Sequence, residues 1–394
     1  LEVQEFLRGS FLERSPIIAV SAIKGTGLEE VKQELVHEVS EVTARDSTAI
    51  ARLPIDRVFT MKGFGTIVTG TLIAGTLRKE DELQLFPFGK RLRVRGVQVH
   101  GQKADTAIAG ERTALNLAGL EKNELARGMV LAAPGLLHVT SRIDVKLSLL
   151  TTAKPLKSGA RVHFHTFTSE TIIATVNLYR EKQLKPGEED FAQLRLSAPV
   201  LLVPGDRFII RQFSPVVTIG GGVVLDATPL HKTTAASHLD FFSSADRMDP
   251  ALTLKSRVAR RGEQGLTLSQ ATAETGWRRE DILALAKGPD LKNEIIALDS
   301  VLFTNATMGQ LFKAMTETVA QFQNQNPLAN GMPGEALCES TGAHPEISDF
   351  VLDCLLRARR LEVSAGGLLH LPGRGVVMKD DEAESRQVIE QAFA

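Results

Sequence analysis

A chain of 394 residues is longer than one hydrophobic core ordinarily supports, so two to four domains are expected. With 43% hydrophobic and 24% charged residues the chain has globular composition, which excludes disordered, collagen-like and disulfide-stapled classes. The 46 Lys and Arg nearly cancel the 47 Asp and Glu, which excludes a broad positive field that would hold nucleic acid by charge alone, so any RNA contact must be local.

The chain opens at Leu1-Glu2-Val3-Gln4, which is no signal peptide, inside what reads as a helix carrying Leu1, Phe6 and Leu7; it is expected to be a piece of a longer protein. Pro16 to Val20 is a short apolar run that reads as a strand. Ser21-Ala22-Ile23-Lys24-Gly25-Thr26-Gly27 follows as a turn. Thr26 with Glu29 has the spacing of a capping box, and Leu28, Val31, Leu35 and Val39 recur at helical spacing. Strand, turn and capped helix make residues 1–46 the expected last unit of an α/β domain.

From residue 47 to 137 the pattern changes to short β-branched and apolar runs split by glycines: Thr66 to Thr71, Leu83 to Phe86, Leu92 to Val99 and Arg112 to Leu117. A second such region covers 138–230, with Ile143 to Leu149, Ala160 to Phe167, Ile172 to Tyr179, Ala192 to Leu196 and Phe208 to Phe213. Two consecutive β-barrels are expected. Lys62-Gly63-Phe64-Gly65-Thr66 has the glycines of a phosphate loop, but it leads into β-branched Ile67-Val68 rather than a helix and reads as a barrel turn. Gly220-Gly221-Gly222 reads as a bulge or a close backbone approach rather than a ligand cradle. His163 and His165 share one face of a strand at a spacing that suits a metal, yet no third ligand lies near in sequence, so solvated or hydrogen-bonded strand histidines are expected.

The tail repeats. Leu266-Thr267-Leu268-Ser269-Gln270 with Gly276 reappears sixty-six residues later as Met332-Pro333-Gly334-Glu335-Ala336 with Gly342, and each copy continues into an amphipathic helix and a two-strand apolar ending. Tandem winged helices are expected at 236–305 and 306–374, with a third starting at 380–394 and then stopping. Arg278 and Arg279 begin the second helix of the first turn motif, where they either meet phosphates or simply face solvent. Cys338 and Cys354 are the only cysteines and fit a reducing cytoplasm. No apolar run reaches the roughly 18 to 20 residues of a membrane helix, so a soluble chain with no membrane partner is expected.

Several motifs together resemble a known family. Asp56-Arg57-Val58-Phe59-Thr60, Lys62-Gly63-Phe64-Gly65-Thr66, Thr69-Gly70-Thr71, Ala109-Gly110-Glu111-Arg112 and Arg127-Gly128-Met129 resemble the second domain of elongation factors of the Tu type. Gly205-Asp206-Arg207-Phe208-Ile209, Ser214-Pro215 and Thr218 to Asp226 resemble the third domain of the bacterial selenocysteine-specific elongation factors, and the winged-helix repeat is similar to that family and not to Tu. Ser21-Ala22 with Gly25 and Gly27 looks like the guanine-specificity loop of a small GTPase domain.

The resemblance implies a multidomain fold: the end of an α/β GTPase domain, two translation-factor barrels, then winged helices. It implies a factor that delivers selenocysteyl-tRNA to the ribosome at recoded UGA codons, using GTP and magnesium in the full-length protein, with Ser21 and Ala22 as the guanine contact in this chain. The phosphate loop, the magnesium and switch motifs and the Asn-Lys-x-Asp motif have no match in this chain, so it is expected neither to bind GTP tightly nor to hydrolyse it alone. The messenger-RNA hairpin is expected to be gripped by winged helices beyond Ala394, and a monomer is expected. A selenocysteyl pocket is implied at Asp56, Arg57 and Arg112: the arginines face the selenolate, and Asp56 takes the α-amino group or holds an arginine in place. Outside this reading stand a Tu-like GTPase delivering ordinary aminoacyl-tRNA and a winged-helix nucleic-acid-binding regulator.

Overall fold

The computed structural model describes residues 2–61, 65–119, 124–169, 171–230, 235–327, 329–364, 366–373 and 391. Lys62, Gly63 and Phe64, and the segment 380–394 apart from Gln391, lie outside the described residues, so the barrel turn and the third winged helix expected there are not addressed. The chain forms two compact units, Leu1–Asp46 and Ser47–Ala394.

The smaller unit carries helices Glu2–Leu7 and Leu28–Glu41, neither with a buried residue. Two local expectations are corrected here. Pro16 to Val20 forms no strand and has no ladder partner among the described residues, so it lacks the neighbour that would satisfy its backbone groups. The helix is capped by Gly27 at φ 74 with no side-chain cap bond, so Thr26 and Glu29 form no capping box. Thr26 is used otherwise, its carbonyl accepting from Ser21 N at 3.0 Å to close the turn. Gly27 is required: a Cβ there would meet the Ala19 carbonyl at 2.3 Å.

In the larger unit the first barrel is a ring of antiparallel strands running Glu82–Phe86, Val130–Ala132, Arg52–Met61, Gly65–Thr71, Arg112–Leu117 and Lys90–Val99, closed by pairing of the last with the first. Alternate residues point inward, so Leu53, Ile55, Val68, Leu83, Leu85, Val94, Leu115 and Leu131 fill its core. The second barrel is closed in the order Val139–Leu149, Glu189–Leu201, Ile172–Leu178, Arg161–Thr166, Arg207–Arg211 and Thr218–Asp226 around Ile143, Val145, Phe164, Val176, Leu194 and Ile210. The glycine triplet sits in its last strand. A Cβ at Gly220, Gly221 or Gly222 would lie 2.3, 2.5 or 1.9 Å from a neighbouring backbone carbonyl, which is the close approach its sequence suggests. His163 stacks edge-on against Phe213, and no group of three metal-ligating side chains exists among the described residues.

After the barrels, helix Ala235–Asp246 packs Phe241 and Phe242 against Phe191 and Leu225 of the second barrel. Two α-β-α-α-β-β modules follow, in the manner of winged helices. The first has helices Pro250–Ala259, Leu268–Thr275 and Arg279–Lys287 and a three-stranded sheet of Leu266–Thr267, Val301–Thr304 and Ile295–Ala297. The second repeats it with Asn305–Gln325, Gly334–Ser340, Pro345–Arg357 and a sheet of Met332–Pro333, Leu368–His370 and Glu362–Val363. Val301 and Phe303 of the first sheet belong to the core of the second module, so the two copies share apolar surface. No described helix is long and apolar enough to cross a membrane.

Candidate functional site on the first barrel

The strands Arg52–Met61 and Gly65–Thr71 pair Ile55 with Gly70 and Arg57 with Thr69, which leaves Asp56 as an extra residue in a β-bulge. A bulge bends a strand and re-aims a side chain, and bulges concentrate near functional sites. Gly70 permits the close passage here, because a Cβ would meet the Pro54 carbonyl at 2.1 Å. The bulge is pinned from outside the pair: the Ile55 carbonyl accepts Gly128 N at 2.9 Å and Thr168 Oγ1 at 2.8 Å, and Ile55 N donates to the Met129 carbonyl at 2.8 Å. The Arg127-Gly128-Met129 motif therefore has a structural role one residue away from Asp56.

Arg112 starts the strand that pairs with Gly65–Thr71, opposite Thr71. The preceding turn sets its position. Gly110 adopts φ 101, its N–H bonds the Leu72 carbonyl at 2.7 Å, and Leu72 N bonds the Glu111 carbonyl at 3.0 Å.

These two devices bring Asp56 and Arg112 together across 56 positions of sequence. Arg112 clamps the Asp56 carboxylate with both terminal nitrogens, Nη1 on Oδ2 and Nη2 on Oδ1 at 2.9 Å. Thr69 Oγ1 donates to Oδ1 at 2.7 Å and lies 3.4 Å from Nη2, so it belongs to the same cluster. Burial pushes the Asp56 carboxyl up, but the bonds from Arg112 and Thr69 and the charges of Arg112 and Arg57 outweigh it and hold the group below the usual carboxylate range. Arg57, across from Thr69, is exposed and has no hydrogen bond or ion pair among the described residues. Arg112 remains 45% exposed, and its Nε–H and one Nη1–H have no acceptor among the described residues. The cluster is a fixed guanidinium beside a free one, with a net charge of one positive unit at the barrel rim. It suits an anionic group.

The structure thus unites the three residues Asp56, Arg57 and Arg112 and adds Thr69, which the Thr-Gly-Thr motif contained but whose hydroxyl the sequence did not single out. Ser21 and Ala22 lie in the smaller unit. There Ser21 N is spent on the Thr26 carbonyl and Ser21 Oγ accepts Lys24 N at 3.3 Å, while Ala22 is exposed with no bond of its own among the described residues. Arg278 and Arg279 part company. Arg278 is forked onto Asp281 at 3.0 and 3.1 Å, whereas the Arg279 guanidinium donates to the Asp299 carbonyl. Trp277 packs partly buried against the core of the first winged helix.

Sequence reasoning missed the buried ionic seam between the second barrel and that winged helix. Arg257, wholly buried, bonds Asp226 at 3.2 Å, Glu274 at 2.9 Å and the Leu225 carbonyl at 3.0 Å. Arg260 bridges the same two carboxylates, and Arg261 bonds Glu274. A periodic reading gives these residues to exposed helix ends; only the docking of two modules buries them.

Comparison with known proteins follows the same layout. The family model for elongation factor Tu domain 2 matches residues 65–132, and that for the selenocysteine-specific elongation factor β-barrel domain matches 140–231. The chain is 36% identical to the selenocysteine-specific elongation factor of Desulfomicrobium baculatum over 399 residues, covering 100% of this chain and 62% of that protein. Its counterpart in Escherichia coli is 30% identical over 281 residues, covering 71% of this chain and 42% of that protein. The chain therefore spans under two thirds of the length of the relatives it matches. A crystal structure of a bacterial selenocysteine-specific elongation factor superposes with a TM-score of 0.72 at 22% identity, covering 99% of this chain and 60% of that one. The apo elongation factor SelB of Methanococcus maripaludis gives 0.51 at 22% identity over 58% of this chain and 53% of its own. In its two barrels, in the winged-helix pair that follows them and in sequence along its own whole length, the chain is similar to the selenocysteine-specific elongation factors.

Proposed function

We propose that this chain is part of a translation elongation factor that delivers selenocysteyl-tRNA to the ribosome at recoded UGA codons in a GTP-dependent manner, and that Asp56, Arg57 and Arg112 read the selenocysteyl group. The observation that carries this is the clamp of Asp56 on Arg112 beside unpaired Arg57. A thiol has a free pKa of about 8.5 and a selenol is more acidic, so selenocysteine is anionic near neutrality while serine is not. Two guanidiniums at the rim favour the anion. Asp56 acts as a positioning residue: both of its oxygens are already engaged by Arg112 and Thr69, which favours holding the arginine over meeting the α-amino group. Arg57 supplies the second positive charge.

The Ser21–Gly27 turn fits a guanine edge, since the exposed Ala22 N–H has no acceptor among the described residues. It offers nothing for phosphates or magnesium, and the sequence contains no Gly-x-x-x-x-Gly-Lys-Ser/Thr. GTP, when bound to the full-length factor, supplies the energy and timing of delivery; Ser21 and Ala22 contribute base contact alone. The selenoprotein messenger hairpin, the ribosome and a monomeric state belong to the same proposal for the full-length factor.

Competition titrations of selenocysteyl-tRNA against seryl-tRNA on the full-length factor test this. Arg112→Ala is expected to weaken the selenocysteyl form by about 1.5 to 3 kcal/mol, the range for a charged hydrogen bond, and to leave the seryl form nearly unchanged. Arg112→Lys restores part of the loss, because an ammonium cannot reproduce the fork. Asp56→Asn is expected to follow Arg112→Ala in direction. Equal losses for both tRNAs in the Arg112 variant would sink the selenolate role.

A further inference from the structure

The seam between the second barrel and the first winged helix borders a cavity of about 330 Å³ that the reading above leaves unused. His138 from the segment joining the barrels, Arg261 from the turn after helix Pro250–Ala259, Ser269, Gln270 and Glu274 from helix Leu268–Thr275, and Arg279 line it, together with apolar Leu136, Leu268 and Ala273. These named residues come from four stretches of chain.

Of the charged side chains that line the cavity, Arg261 and Arg279 are positive and Glu274 is negative, and the seam behind it is unbalanced in the same direction. Glu274 is spent: its oxygens accept from Arg257, Arg260 and Arg261. Asp226 is likewise held by Arg257, by Arg260 and by the Thr228 N–H at 3.1 Å. Three arginines face two carboxylates. Asp144, which pairs with Asp226 across the sheet, has Arg142 close by and so does not cancel the surplus. Arg279 adds a further charge, because it bonds a backbone carbonyl and pairs with no carboxylate among the described residues. The seam is short of acceptors too: the Nε atoms of Arg257, Arg260 and Arg261 are buried with no partner among the described residues, and of these three arginines Arg261 is the one that lines the cavity. Arginine does not lose its charge in a protein, and its planar fork matches the oxygens of a phosphate.

We infer that this cavity is a phosphate site, and that its occupant is a backbone phosphate of RNA. Exposed His138, Ser269 and Arg279 form the rim, so a chain passing over the surface can lower one phosphate toward Arg261. The inference is independent of the Asp56–Arg112 reading, since no residue is shared. It also divides the two neighbouring arginines: Arg279 lines the cavity, and Arg278 is neutralised by Asp281 outside the lining.

The test uses the whole chain, a fluorescent twelve-nucleotide oligouridylate read by anisotropy across a salt series, and inorganic phosphate read by its shift of the melting temperature. Arg279→Gln is expected to weaken oligouridylate binding about five- to tenfold and to reduce the slope of log K against log salt by about 0.7, the value for one phosphate contact on a single strand. Arg278→Gln is expected to change neither. Both residues lie at the surface, and unchanged melting temperatures without ligand confirm that the variants fold. A phosphate-induced rise in melting temperature that Arg279→Gln abolishes, with no Arg279 dependence of oligouridylate binding, assigns the site to free phosphate and overturns the RNA occupant. Equal losses in Arg278→Gln and Arg279→Gln, or no effect of Arg279→Gln on either probe, overturn the site.

Discussion

Arg52 and Asp206, 154 positions apart, form a two-pronged ion pair between the barrels, with Nη1 on Oδ2 at 2.7 Å and Nη2 on Oδ1 at 2.9 Å. Both side chains are nearly buried, and Asp206 Oδ2 also accepts Val203 N at 2.9 Å. Arg52 lies four residues before the bulge that presents Asp56, so the pair fixes the base of the candidate site to the second barrel. Removing one partner of a buried pair leaves the other charge uncompensated, at a cost of about 3 to 5 kcal/mol. Asp206→Ala is expected to lower stability by that order in urea unfolding of the chain. A loss below about 1 kcal/mol would place the pair among ordinary surface ion pairs.

A second prediction concerns Asp144. Burial pushes its carboxyl up to about 6, against opposing bonds from Tyr179 at 2.9 Å and Gln193 at 3.1 Å. An unfolded aspartate has a pKa of about 3.9, so between that value and about 6 the folded chain binds the proton more tightly. Stability from this group is therefore full below about 4 and falls as pH rises toward 6, by no more than about 3 kcal/mol. Asp226 has the opposite sign: burial raises its carboxyl, but Arg260 and Arg257 hold it well below the usual range, so its contribution is present above about 4 and is lost in stronger acid. Asp144→Asn is expected to raise the urea midpoint at pH 7.5 more than at pH 5. An equal change at both pH values would show that ionisation of Asp144 is not what the fold opposes.

Two glycines give a contrast in packing. A Cβ at Gly222 would meet the Lys146 carbonyl at 1.9 Å, a contact that only separation of two barrel strands relieves. Gly222→Ala is expected to cost about 3 kcal/mol, the upper part of the overpacking range, and to lower the melting temperature sharply. Gly309 lies within helix Asn305–Gln325 with open space around its Cβ position. Gly309→Ala is expected to add about 0.5 to 1 kcal/mol through helix propensity. Calorimetry of the two variants checks both signs.

Elements set by local pattern were legible in the sequence. Alternation in Lys90–Val99 and Arg112–Leu117, and the repeat of Leu266–Gln270 at Met332–Ala336, follow from periods of two residues per strand repeat and one module per copy, which short stretches of chain impose by themselves. The glycine triplet also announced its close approach, because few other reasons place three glycines before a β-branched pair. The local helix cap failed, since Gly27 had to pass against the Ala19 carbonyl and Thr26 was drawn into the turn.

The candidate site was legible as residue types and not as an arrangement. Motif resemblance named Asp56, Arg57 and Arg112, but the bulge at Asp56 is a register shift between two strands and exists only once Gly70 lies under Pro54. That register decides that Asp56 clamps Arg112 and leaves Arg57 free. The Arg257–Asp226–Glu274 seam and the Arg52–Asp206 pair were invisible for the same reason. A charged residue near a helix end reads as solvated until another module excludes the water, and sequence alone fixes neither the partner nor the burial that makes an ion pair matter.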